Sequence, residues 1–248
     1  MRLAAVGDVG VDVYENLGVI HVGGISVNLA LSGVELGVDE LYLYSALGDD
    51  FGDFVAAAVA TTPIRFRARR LAGACSTQHL VVHPDGNREF TGYFPNVLGD
   101  WRLTAEELAE LATMDVICAP VSDGLYPVAE QVIPLETKAL KAIDFSEDGE
   151  WWGPEYFERF APRLGIAFFG VKTGVPPSVP DLARRHPEKV FIVTEGPLGS
   201  IAFHGDLAVR QAPRPTTVVD TCGCGDAFQA GFIIEWLRST DLERAPAA

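Results

Sequence analysis

Apolar positions along the chain come in short runs closed by glycines. Leu3 to Val6 is one such run ending at Gly7-Asp8, the pattern of a strand buried on both faces. Val27, Leu31 and Val34 then recur at helical spacing within Ser26 to Leu36, and Gly37 follows where a left-handed residue ends a helix. Leu41 to Ala46 predicts a second buried strand, and Phe51 to Ala60 a second helix. Strand, helix, strand, helix in that order predicts an α/β fold, a parallel sheet with crossover helices.

The stretch from Ile64 to Phe94 breaks this rhythm. Ile64, Phe66 and Ala68 alternate with Arg65, Arg67 and Arg69, which marks a half-exposed strand. Thr77 to His83 and Arg88 to Phe94 flank Pro84-Asp85-Gly86-Asn87, a hairpin turn. Together with the β-like stretch Val11 to Val22 they predict a small β lid over about 11–22 and 64–95. The α/β rhythm then resumes. Thr104 with Glu107 forms a capping box for a helix reaching Ala112. Asp115 to Ala119, Ala139 to Phe145, Gly165 to Gly170 and Lys189 to Thr194 predict core strands. Ser200 to His204, Leu207 to Gln211 and Thr217 to Val219 predict late, antiparallel ones, and Asp226 to Arg238 a final helix. The 248 residues read as one domain, 1–248, with a lid.

Composition narrows the ligand. With 34 acidic and 19 basic residues the net charge is −15, a field that repels nucleic acid and anionic membranes. No apolar run approaches the roughly 18 residues of a membrane helix, and the first apolar stretch stops at Asp8, too early for a signal peptide. Four scattered cysteines do not form a disulfide framework. The expectation is a soluble, reduced, cytoplasmic protein whose anionic ligands, if any, are held by a local device.

Such a device lies in Asp220-Thr221-Cys222-Gly223-Cys224-Gly225-Asp226, read as a strand running through a glycine-rich turn into an apolar helix. Unpaired N–H groups and the helix dipole favour an anion there, and Gly223 and Gly225 let the backbone close around it. Asp226 in the first turn, expected to stay ionised beside that positive end, suits a general base that deprotonates a hydroxyl. On residue types alone, an N-cap carboxylate and a plain turn explain the same residues equally well. P-loop and dinucleotide fingerprints are absent, and no four-ligand zinc set is present. Earlier, Asp8 and Asp12 flank the end of the first strand, and Gly23-Gly24 with Asn28 can offer amides and a carboxamide to a polyol; a hinge with solvated carboxylates is the alternative.

Gly23-Gly24-x-x-x-Asn28-x-Ala30, Leu36-Gly37, Gly48-Asp49-Asp50-x-Gly52 and Asp220-Thr221-x-Gly223-x-Gly225-Asp226-x-Phe228 together resemble the PfkB (ribokinase-like) carbohydrate kinases over nearly the whole chain. Gly7-Asp8, Asp144-Phe145-Ser146 and Arg210-Gln211-Ala212-Pro213 are similar to the bacterial fructoselysine 6-kinase branch. The resemblance implies a ribokinase-like three-layer domain with a mostly parallel central sheet and a small β lid. It implies transfer of the ATP γ-phosphoryl to a primary hydroxyl of a sugar or fructosamine. Asp226 would be the base, the amides of Gly223, Cys224 and Gly225 the anion hole, and Asp8, Asp12, Gly24 and Asn28 the sugar site. Thr194, Gly196 and Gly199 match the nucleotide-side turn. Magnesium would travel with the phosphates rather than in a protein cage, and a homodimer would form through the lid edge.

Three departures stand beside the resemblance. Cys224 replaces the usual Ala, the common Asn-x-x-Glu is absent around Gly170 to Gly174, and the chain ends 22 residues after Asp226, short of a further helix. They keep two alternatives open: a kinase for another small sugar or nucleoside, and a degenerate, catalytically weak sugar- or nucleotide-binding relative.

Overall fold

The strands of the computed structural model, which describes residues 1–147, 158–172, 174–242 and 244–247, divide between a nine-stranded and a four-stranded sheet. The large sheet contains β1 (Arg2–Val6), β4 (Glu40–Leu47), β5 (Arg65–Arg70), β8 (Val116–Pro120), β9 (Leu140–Glu147), β10 (Ile166–Gly170), β11 (Val190–Thr194), β12 (Ser200–His204) and β13 (Leu207–Gln211). Its order is β13-β12-β11-β10-β9-β8-β1-β4-β5. Pairing is parallel throughout except at β11–β12 and β12–β13. The small sheet runs β3 (Val19–Gly23), β2 (Gly10–Tyr14), β6 (Ser76–Val82), β7 (Arg88–Phe94).

Alternation along each central strand builds three layers. Leu3 and Ala5 of β1 face the helices Ile25–Glu35 and Cys224–Ser239 through Val27, Ala30, Phe232 and Ile233. Ala4 and Val6 face the opposite side, where Leu111, Val128, Val132 and Leu182 come from the helices Ala105–Leu111, Tyr126–Val132 and Ser178–Arg185. Phe232 meets Phe168 of β10 edge-on at 5.7 Å, which locks the final helix to the sheet. The capping box at Thr104 and Glu107 forms as the spacing requires. Trp101 is fully buried, and Trp236 stacks on Phe232. Trp151 and Trp152 lie outside the described residues.

The chain passes between the two sheets four times, and each passage holds a residue with positive φ. Gly7 (147°) stands between β1 and β2, Gly24 (118°) follows β3, Gly73 (125°) lies between β5 and β6, and Asn96 (49°) follows β7.

Two strand expectations change. The alternating segment at Ile64 to Ala68 does not join the small sheet; as β5 it pairs parallel with β4 at the edge of the large one. An edge strand is as half-exposed as a lid strand, so alternation alone does not separate them. Its arginines lie along the rim, with Arg65 and Arg67 over the Tyr42 ring and paired with Glu40 and Glu110. The small sheet therefore spans 10–23 and 76–94 rather than 11–22 and 64–95. Thr217 to Val219 forms no strand, and Val219 is 80% exposed. Val218 instead meets the hairpin turn at Gly86, where an added Cβ would come within 2.6 Å of it.

Candidate active site

The C-terminal end of β1, the ends of β9 to β11, the start of the helix Cys224–Ser239 and the inner side of the small sheet enclose a cavity of about 740 Å³. This is where open α/β sheets bind ligands.

Asp226 is the third residue of that helix and 9% exposed. It does not cap the helix. The N-cap is Gly223, and the Asp226 carboxylate instead accepts from Asn28 Nδ2 at 2.9 Å. Gly223 adopts φ 77°, a conformation that favours glycine, and it lies in van der Waals reach of the Asn28 side chain. Among the described residues no backbone acceptor reaches the N–H of Gly223 or Gly225, whereas that of Cys224 bonds Thr221 O at 3.3 Å. Of the three amides expected to meet an anion, those of Gly223 and Gly225 are thus free of backbone partners, and that of Cys224 is bonded back to Thr221. A Cβ on Gly225 would meet no atom within 4 Å, which leaves an open approach to that amide.

The ionisation expected for Asp226 is corrected. Burial pushes its pKa up to about 7; the Asn28 bond opposes this, the charge of Asp144 adds to it, Arg88 opposes, and Asp8 adds. The helix end does not outweigh desolvation among other carboxyls.

Gly23 and Gly24 are not a hinge beside solvated carboxylates. A Cβ on Gly23 would stand 2.1 Å from the Asp12 carboxyl, and one on Gly24 would stand 2.6 Å from Asp8 O. The pair exists to admit two aspartates, each 7% exposed. Burial raises Asp8 to about 7, the neighbouring Ser76 side chain opposes, and Asp12 adds. Burial raises Asp12 to about 6; Cys222 opposes, its Sγ standing 3.5 Å from Asp12 Oδ2, and Asp220 adds. Burial in turn pushes the Cys222 thiol up to about 12.

The segment before the glycines is held by the small sheet. Tyr14 OH donates to Asp220 Oδ2 at 2.9 Å, and Arg88 Nη1 donates to Thr221 O and Oγ1, each at 3.2 Å. Asp220 Oδ1 accepts from Cys222 N at 2.8 Å.

Asp8, Asp12, Gly24, Asn28, Gly223, Gly225 and Asp226 all line the cavity, and Thr194 does so from the end of β11. Gly196 and Gly199 do not; they shape the turn after β11, where a Cβ on Gly199 would stand 2.1 Å from Gln211 O. Sequence reasoning missed Tyr14, Arg88 and Asp144 as site residues. Asp144 carried a usable signal, a carboxyl closing an apolar strand as Asp8 does. Tyr14 and Arg88 carried none, since half-exposed strands hold such residues for many reasons.

A three-layer, mostly parallel sheet with a second small sheet beside its ligand end, and a buried carboxyl at an amide-bearing helix start, define the ribokinase-like class. The microbiome-derived acarbose kinase Mak1 superposes with a TM-score of 0.80 at 19% identity, covering 99% of this chain and 89% of that one. Arabidopsis thaliana ribokinase, solved with ribose and ATP, gives 0.75 at 18% identity, covering 99% and 88%. The fructoselysine 6-kinase of Shigella flexneri is 31% identical over 254 residues, covering 99% of this chain and 93% of that protein. The pattern of the pfkB family carbohydrate kinases matches residues 168–247. The chain belongs to the pfkB family of carbohydrate kinases, and its activity is that of a sugar phosphotransferase.

Proposed function

We propose that this kinase phosphorylates a primary hydroxyl of a fructosamine of the fructoselysine kind, using ATP. The observation that carries the reading is the buried Asp226 carboxyl, held by Asn28 beside two open amides and facing a cavity rich in aspartates. Two relatives, from Shigella flexneri and Escherichia coli, carry the name fructoselysine 6-kinase.

In this reading Asp226 accepts the proton of the sugar hydroxyl as its oxygen forms a bond to the γ-phosphorus and the bond to ADP breaks. Gly223 and Gly225 N–H groups stabilise charge on the phosphoryl oxygens, and Asn28 fixes the carboxylate's direction. Asp12, Gly24 and Asn28 hold the sugar, and Thr194 lies on the nucleotide side. Magnesium fits as a companion of the nucleotide phosphates, whose charge it neutralises. Among the described residues no three His, Cys, Asp or Glu side chains are grouped to hold a metal. The small sheet acts as the lid that excludes water. Its exposed Val19, Ile20, Phe90 and Phe94 support pairing with a second copy. No helix among the described residues is long and apolar enough to cross a membrane.

The test is ATP consumption with magnesium across fructoselysine, other fructosamines, simple ketoses, ribose and nucleosides, with Asp226→Asn as control. Turnover confined to fructosamines and lost in the variant supports the reading. Preference for ribose or a nucleoside replaces the substrate, and silence across the panel in folded protein favours a degenerate binder.

A further inference from the structure

Buried carboxyls face the cavity, and most of them are provided for. Asp226 has Asn28. Asp12 has the Cys222 thiol and stands in the fields of His21 and Arg88. Asp144 Oδ1 accepts from Ser146 N at 2.9 Å. Asp8 differs. It is 7% exposed and its Oδ1 is buried with no hydrogen-bond partner; the neighbouring Ser76 side chain favours its charged form, but no cation does so, and Asp12 repels it. Its position is enforced by backbone, because it lies against Gly24, where any side chain would collide with Asp8 O.

A buried carboxyl oxygen without a donor is unfavourable by roughly 1–3 kcal/mol or more, so its retention in a ligand cavity points to a group that arrives with the ligand. A hydroxyl could supply a hydrogen bond but no charge. The absence of any cation acting on Asp8, in a cavity where Asp12 is given two, points to a charged donor. We propose that Asp8 Oδ1 receives the protonated nitrogen joined to the sugar of a fructosamine, and that this contact separates fructosamines from neutral sugars. The contact is a charge-assisted hydrogen bond in a desolvated site, where such bonds are strong.

The proposal rests on the kinase reading for its reaction, but recognition at Asp8 is measurable without turnover.

The experiment is calorimetric titration without nucleotide, using 1-deoxy-1-(butylamino)fructose and its N-acetyl counterpart, which keeps the sugar and removes the charge. The wild type is expected to bind the amine at least about 30-fold tighter than the amide, a contrast that needs no variant. Asp8→Asn, whose folding is checked by circular dichroism, is expected to bring that ratio within about threefold. A wild-type ratio near one, or an undiminished ratio in Asp8→Asn, overturns the assignment. Turnover of the same two compounds with ATP is scored separately. Selective binding without phosphorylation keeps Asp8 and sinks the kinase reading; phosphorylation without selectivity does the reverse.

Discussion

Replacing Asp226 with Asn should remove activity and add stability, and the pH dependence of the second effect follows from the first. The amide keeps an oxygen for Asn28 Nδ2, so the 2.9 Å hydrogen bond survives while the charge goes. The wild-type carboxyl moves from 3.8 to about 7 on folding, chiefly by burial. Between those values the folded state binds more protons than the unfolded chain, so this group lowers stability as pH rises from about 4 to 7, and the loss saturates above that. Three units at about 1.4 kcal/mol each give a penalty of about 4 kcal/mol at pH 8 and about 0.5 kcal/mol at pH 4. Asp226→Asn should therefore exceed the wild type in urea denaturation at pH 8 by several kcal/mol, with most of the difference gone at pH 4. Turnover should fall by about 10² to 10⁴-fold. The wild-type kcat/KM should climb roughly tenfold between pH 6 and 8 as the base ionises. A variant no more stable than wild type at pH 8, with turnover lowered less than tenfold, would refute both the burial argument and the role.

Further outcomes are equally specific. Gly24→Ala places a Cβ 2.6 Å from Asp8 O at φ 118°; a strain of about 2–3 kcal/mol should lower Tm by roughly 5–10 °C in a thermal scan. Tyr14→Phe removes the donor to Asp220 Oδ2 while leaving the Cys222 N–H on Oδ1; kcat/KM should fall about fivefold, in line with one lost hydrogen bond of about 1 kcal/mol. Thr104→Ala breaks a capping box remote from the cavity, so Tm should drop by about 3 °C with steady-state kinetics unaltered. Phe232→Ala opens a hole between the final helix and β10; a loss of about 3–5 kcal/mol should be plain in denaturant titration.

The buried strands were legible because a parallel sheet covered on both faces leaves short, almost wholly apolar runs, as at Leu3 to Val6. Less legible was sheet membership. Arg65, Arg67 and Arg69 announce an exposed face, yet only the Tyr42, Glu40 and Glu110 partners decide which edge they occupy. Thr217 to Val219 has the residue types of a strand and lies exposed, since propensity does not supply a neighbour to pair with. In the site, Asp226 and the flanking glycines could be found from the loop-to-helix pattern. Its protonation could not, because it depends first on burial in the folded cavity and then on Asp144 and Asp8, distant in sequence. Gly23-Gly24 stood out as a pair, but its reason, the space for two aspartates, needed the fold.

The four joints between the sheets have a consequence for how substrate range can change. Gly7, Gly24, Gly73 and Asn96 set the direction of each passage through backbone angles that few other residues adopt. The angle between scaffold and cover is thereby written at four points, while the hairpin from Ser76 to Phe94 contributes Gln78, Arg88, Phe90 and Tyr93 to the lining of the cavity. A hairpin exchanged from a relative with another appetite should seat correctly as long as those four joints are kept. Part of the substrate preference can then drift in the hairpin, as long as Arg88 is kept to hold Thr221 beside the glycines.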